Sequence, residues 1–236
     1  MPEQPAERNA AYPLPAPRAP IPTPWPQLTA ALDLVFRHKA GLITQDGTAE
    51  ARAGQDIALH CAAYGINTLL FTTTPPATAP PALAIETREH PTPDYINNRL
   101  LSPARGQQPQ LVVIERYERL RPDPRHIPAQ YDPIDDLDYE PPTAAEDLLQ
   151  SVRDIRIEVP LLLTTTVSPQ PQMTDPLDRW LHHDHPAVTL TDVCKPVLLV
   201  HRTADQTVEG RLEINPQGAS GTRLTIEWPA TQAAPK

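Results

Sequence analysis

Four apolar residues, Leu111, Val112, Val113 and Ile114, follow one another without a polar break and stop at a carboxylate, Glu115. A strand with one wet face alternates apolar and polar side chains, whereas a short unbroken run of this kind belongs to a strand covered on both faces. Such strands lie at the centre of parallel sheets, whose neighbours are joined by long, usually helical crossovers. The run therefore points to an α/β fold with helices on both sides of the sheet. It also sets Glu115 at the carboxyl end of a central strand, where open α/β sheets place their ligands.

The rest of the chain supplies matching pieces. Residues 28–37, LTAALDLVFR, have helical apolar spacing, and Gly41–Thr44 is a short strand. A polar loop over 45–53 leads to GQDIALHCAAY, Gly54–Tyr64, with Ile57, Ala58, Cys61 and Ala62 on one helical face. Gly65 ends that helix, and Asn67–Thr73 is the next strand, which completes a βαβ unit. Beyond it come a short strand at Ala82–Thr87 in a proline-broken stretch, a helix at Tyr95–Leu101, and the central strand. Thr143 and Glu146 form a capping-box pattern that opens a helix with Leu148, Val152 and Ile155 on one stripe. A strand at Val159–Thr166 and a proline- and histidine-rich connection at Pro169–Pro186 follow. Strands at Pro196–His201, Gly210–Ile214 and Arg223–Trp228 are joined tightly enough for hairpins, so the sheet turns antiparallel at that edge.

Composition narrows the function. Nine of the 32 prolines fall in residues 1–26, which reads as a disordered or polyproline-like arm before a single domain at 27–229 and a flexible tail at 230–236. No apolar stretch is long enough to span a membrane and no apolar signal core opens the chain. Cys61 and Cys194 sit in apolar segments, as buried thiols of a cytosolic protein do, and nothing in the sequence pairs them. The net charge of −9, with scattered arginines, argues against broad nucleic-acid binding, which draws affinity from neutralised phosphates.

Taken in order, several segments resemble the RecA-like ATPase domain of the DnaB family of replicative helicases. LVVIERYERL resembles the family's Walker B strand with its acid and Tyr-containing turn. EVPLLLTTTVS resembles the following strand, which ends in a polar sensor residue, and PVLLVHR a later one. Gln217-Gly-Ala-Ser-Gly-Thr222 resembles the turn before the family's last strand. The resemblance covers roughly residues 28–228 and implies a mostly parallel, twisted RecA-like sheet flanked by helices, with antiparallel strands at the far edge.

It also implies a nucleotide site whose parts are missing here. A P-loop reads G-x-x-x-x-G-K-[ST], with backbone N–H groups and a lysine on the phosphates and a hydroxyl on magnesium. At the matching place stand Gly54, Gln55 and Asp56, with Ala49 at the first glycine; Lys39 lies on the wrong side of the strand. The family's water-activating acid falls at Thr74, and a threonine is no general base at neutral pH. Its sensor glutamine falls at Thr166. The basic fingers it presents to a neighbouring subunit fall at Ile214 and Pro216, which carry no charge to stabilise phosphoryl transfer. Glu115 keeps an acid at Walker B, which leaves weak magnesium or nucleotide binding open.

No other constellation competes. His182, His183, Asp184 and His185 are adjacent rather than spaced as zinc ligands, and the acidic run Asp132–Glu140 lacks the glycine and distal Glu of a calcium loop. The resulting expectation is a cytoplasmic pseudo-ATPase with no catalytic residues, no metal and no cofactor. It acts through protein contacts, with itself, a replicative helicase or a replication factor, in replication or maintenance of a chromosome, plasmid or phage genome. The alternatives are a single-stranded nucleic-acid-binding accessory subunit and, third, an active NTPase with an unconventional site.

Overall fold

The computed structural model describes residues 19–102, 108–123, 143–156, 158–167, 186–203, 205, 207–214 and 220–228. The chain runs through helix α1 (Pro26–Leu32), strand β1 (Lys39–Gln45), helix α2 (Ala53–Ala63), strands β2 (Thr68–Phe71) and β3 (Leu83–Glu86), helix α3 (Pro93–Leu101) and strand β4 (Leu111–Glu115). It continues through helix α4 (Ala144–Asp154), strand β5 (Leu161–Val167), helix α5 (Pro186–Val193) and strands β6 (Val197–Arg202), β7 (Val208–Ile214) and β8 (Thr222–Ile226). The described strands make one eight-stranded sheet in the order β3-β2-β4-β5-β1-β6-β7-β8. Pairing is parallel from β3 to β6 and antiparallel from β6 through β7 to β8, as expected from the tight connections.

The unbroken apolar runs are explained by two cores, one on each face. Leu111 and Val113 of β4 join a cluster that contains Leu28 and Leu32 of α1 and Ile57 and Cys61 of α2. Val112 and Ile114 point the other way, into a cluster with Ile96 of α3, Val152 of α4 and Leu190 of α5. The four are at most 1% exposed. Burial of that kind contributes roughly 1.5–3 kcal/mol per side chain, which is why no polar residue is tolerated along the run. Both cysteines are buried and free, one in each cluster.

Several boundaries move. The helix expected at 28–37 stops at Leu32, because Asp33 takes a left-handed conformation (φ 42°) and turns the chain so that Leu34 also reaches the core. Residues 1–18 of the expected arm lie outside the described residues, but Ile21, Thr23 and Trp25 pack on the core. The Ile21 amide donates to the Leu34 carbonyl at 3.0 Å, and Trp25 is 3% exposed and stacks on Trp228 with ring centroids 3.9 Å apart. Proline content there reflects a strap laid on a core. The polar loop at 45–53 holds a 310 turn, Ala49–Arg52. Helix α5 has no counterpart in the sequence reading. The capping box at Thr143 and Glu146 is present in both directions, with the Thr143 amide 2.7 Å from Glu146 Oε2 and the Glu146 amide 3.3 Å from Thr143 Oγ1.

Candidate functional site

The parallel strands β1, β2, β4 and β5 end together. Glu115 lies across from Thr164 in the β4–β5 pair, Phe71 across from Ile114 in β2–β4, and Thr44 across from Thr166 in β1–β5. Over these carboxyl ends α2 brings its first residues, Ala53, Gly54 and Gln55. The approach is close. A Cβ on Gly54 would lie 2.8 Å from Thr164 Cγ2 and 3.4 Å from Glu115 Cγ, so only glycine lets the helix end settle on β5.

The Glu115 carboxylate then meets the start of α2 directly. Its Oε1 accepts the Gln55 amide at 3.1 Å, and a Thr72 hydroxyl donates to the same carboxylate. The Gln55 side chain reaches across to donate to the Thr74 carbonyl at 2.7 Å, while the Thr74 amide donates to Thr72 Oγ1 at 3.1 Å. Burial pushes the Glu115 carboxyl above its ordinary range; the bonds from Thr72 and Gln55 pull it back, Asp56 pushes it up and Arg116 pulls it down. Asp56 is raised as well, by burial first, with Arg52 opposing. Arg116 stands in a left-handed backbone conformation (φ 52°) at the strand end, and faces Asp46 at 3.8 Å across the mouth. Both of those side chains are about half exposed, so the pair is worth at most about 1 kcal/mol.

Of the residues singled out in the sequence, Gln55, Thr74, Glu115 and Thr166 line one cavity, of about 190 Å³. Gly54 lies against Thr164 and Glu115 of its wall, and Asp56 stands beside it. Lys39 stands at the amino end of β1, away from the cleft, and donates to the Val152 carbonyl at 2.7 Å. Ile214 ends β7 and packs on the core; Pro216, His182, His183, Asp184, His185 and residues 132–140 lie outside the described residues. No group of three or more His, Cys, Asp or Glu suited to a metal ion occurs among the described residues.

One charged pair escaped the sequence reading. In the 310 turn before α2, Glu50 is fully buried and bonded to Arg202 at the end of β6. Two amides here are taken by nearby carbonyls, that of Ala51 in the turn by Thr48 and that of Ala53 at the start of α2 by Glu50. No local pattern announces an ion pair between residues so far apart in sequence; a glutamate at a core-facing position was the only signal.

No protein-family model and no curated protein matches this sequence, but its fold is found among solved structures. A DnaB-like replicative helicase, solved in a study of its interactions with primase, superposes with a TM-score of 0.65 at 11% identity over 87% of this chain, which spans 58% of that one. A second structure, of an ATPase domain, gives 0.59 at 11% identity, covering 80% of each chain. The RadB recombinase gives 0.52 at 13% identity, over 87% of this chain and 94% of the other. The chain thus has the RecA-like fold, in the form seen in the ATPase domains of DnaB-like helicases.

Proposed function

We propose that this protein is a cytoplasmic pseudo-ATPase of the DnaB-like kind, acting through protein contacts in replication or maintenance of a chromosome, plasmid or phage genome. The observation that carries this reading is the bond from the Gln55 amide to Glu115 Oε1. A helix N-terminus is an anion site because its first amides lack partners and its dipole favours negative charge. Here the chain's own carboxylate takes that place, where a phosphate would otherwise bind.

Two further features support it. The turn that stands where a phosphate-cradling loop would be has its Ala51 amide on the Thr48 carbonyl and holds Glu50, buried and bonded to Arg202. The cavity of about 190 Å³ is also smaller than the roughly 300–1,000 Å³ of typical small-molecule sites. Glu115 and Asp46 line it together with Arg52 and Arg116, and Asp56 stands beside it, whereas a triphosphate with magnesium asks for a lysine and a free amide cradle. The residues present do not fit that group, and no hydrolytic step is assigned to them. With an intact RecA-like sheet and a closed site, the surviving capacity is surface recognition, with a second copy, a replicative helicase or a replication factor as the partner.

The test is a thermal melt with and without magnesium-ATP, beside an ATPase assay with and without single-stranded DNA. A ligand held at a hundred times its Kd adds about 2.7 kcal/mol, or roughly 5–10 °C for a domain of this size. The expected result is no shift and no turnover above background. A shift of that size, or turnover abolished by Glu115→Ala, overturns the reading.

A further inference from the structure

At the amino ends of the parallel strands, the end opposite the cleft, four connections come together: residues 34–36 before β1, Ile66 before β2, Pro109 before β4 and Val159 before β5. They line a groove of about 700 Å³, which the strap residues 19–22 line as well. Val35, Phe36, Ile66 and Val159 are half-buried, and Val35 and Phe36 belong to neither core among the described residues. Among the described lining residues only Glu158 is charged, and the Arg37 guanidinium already pairs with it at 3.0 Å. A charged partner finds little to pair with in such a groove, whereas an apolar segment finds a surface to cover. We propose that the chain's own residues 13–18, Pro-Leu-Pro-Ala-Pro-Arg, lie in this groove as an extended segment.

Connectivity selects this occupant first. Arg18 is joined directly to Ala19, which itself lines the groove. A segment tethered in this way acts at an effective concentration on the order of 1 mM, so weak contacts suffice to hold it. Dimensions agree. Strands β2, β4, β5 and β1 are consecutive neighbours, and at about 4.8 Å between strands the groove crosses roughly 14 Å of sheet. A polyproline II segment rises about 3.1 Å per residue, so about five residues cross it. Residues 13–18 are enough for that span.

Composition points the same way. Pro13, Pro15 and Pro17 alternate with Leu14 and Ala16. Proline fixes φ in advance, so the segment loses little entropy on docking. It also lacks an amide, which leaves fewer donors to satisfy against an apolar wall. With three residues per turn, Leu14 and Pro17 fall on one side of the segment, and Phe36 offers an aromatic surface of the kind on which proline-rich segments dock. The contact lies at the other end of the strands from Glu115 and stands whether or not the cleft holds nucleotide.

Photocrosslinking of the full chain tests it, with p-benzoylphenylalanine in place of Ala16 and the products mapped by mass spectrometry. The expected products join position 16 to peptides containing Val35, Phe36, Ile66, Pro109 or Val159 of the same chain, in a yield independent of protein concentration. Leu14→Asp, which puts a charge on the docking side, is expected to lower that yield about tenfold with unchanged circular dichroism. Phe36→Ser is expected to do the same from the groove side; should it unfold the domain, Leu14→Asp decides alone. Products that join two chains, products confined to other parts of the domain, an absence of products, or a yield indifferent to Leu14→Asp overturns the proposal.

Discussion

Glu115 is the residue on which the cleft turns, and its titration has a definite sign. Burial raises its folded pKa above the ordinary 4.5, so between that value and the folded one the native state holds a proton that the unfolded state has lost. Stability from this group therefore falls as pH rises through that window and is fully recovered below it. Glutamine keeps an acceptor for the Gln55 amide without the charge. Glu115→Gln is thus expected to be neutral or mildly stabilising near pH 7, with the difference vanishing near pH 4. Denaturant melts of both proteins at the two pH values read this directly. A loss of several kcal/mol at pH 7 would instead mean that Glu115 carries a buried ion pair, with Arg116 as the nearest candidate.

At the scale of elements, what matters is how α2 sits on β5. A P-loop glycine serves the phosphate, whereas Gly54 serves the Thr164 methyl group 2.8 Å from where its Cβ would be. Gly54→Ala is therefore expected to destabilise the apo protein by about 1–3 kcal/mol, the ordinary cost of overpacking. Thr164→Ser removes that methyl and is expected to return much of the loss, so the pair should be non-additive. Urea denaturation of the four combinations measures the coupling; additive effects would place the strain elsewhere. The same seating delivers the Gln55 amide to Glu115, so the closeness of helix and strand also closes the anion site.

At the scale of the molecule, the two ends of the described fold hold each other. Trp25, before α1, lies flat on Trp228, after β8, with planes 20° apart, and both belong to the core that covers the α1–α2 face. Trp25→Ala is expected to cost about 3–5 kcal/mol, as for other buried large-to-small changes, and roughly 0.5–1.5 kcal/mol of it should couple to Trp228→Ala through the ring contact. A cost under about 1 kcal/mol would return Trp25 to a loose arm. The apolar bulk of Trp25, rather than the prolines around it, anchors this strap to the core.

The α/β class, the mostly parallel pairing and the antiparallel edge were legible in the chain because they follow from local patterns. Unbroken runs such as Leu111–Ile114 demand cover on two faces, Thr143 and Glu146 mark a helix start, and short links allow only hairpins. The strand-end position of Glu115 was readable in the same way, since carboxyl ends of parallel strands converge, whereas Gly54, Gln55, Thr74 and Thr166 were singled out by the resemblance to the DnaB-family nucleotide site. Tertiary packing decided the rest. Which group takes the Gln55 amide, the burial of Glu50 against Arg202 and the docking of Trp25 on Trp228 are contacts between residues far apart in sequence. Nothing local sets their energies: desolvation, close approach and ion pairing act only once the sheet has brought the partners together.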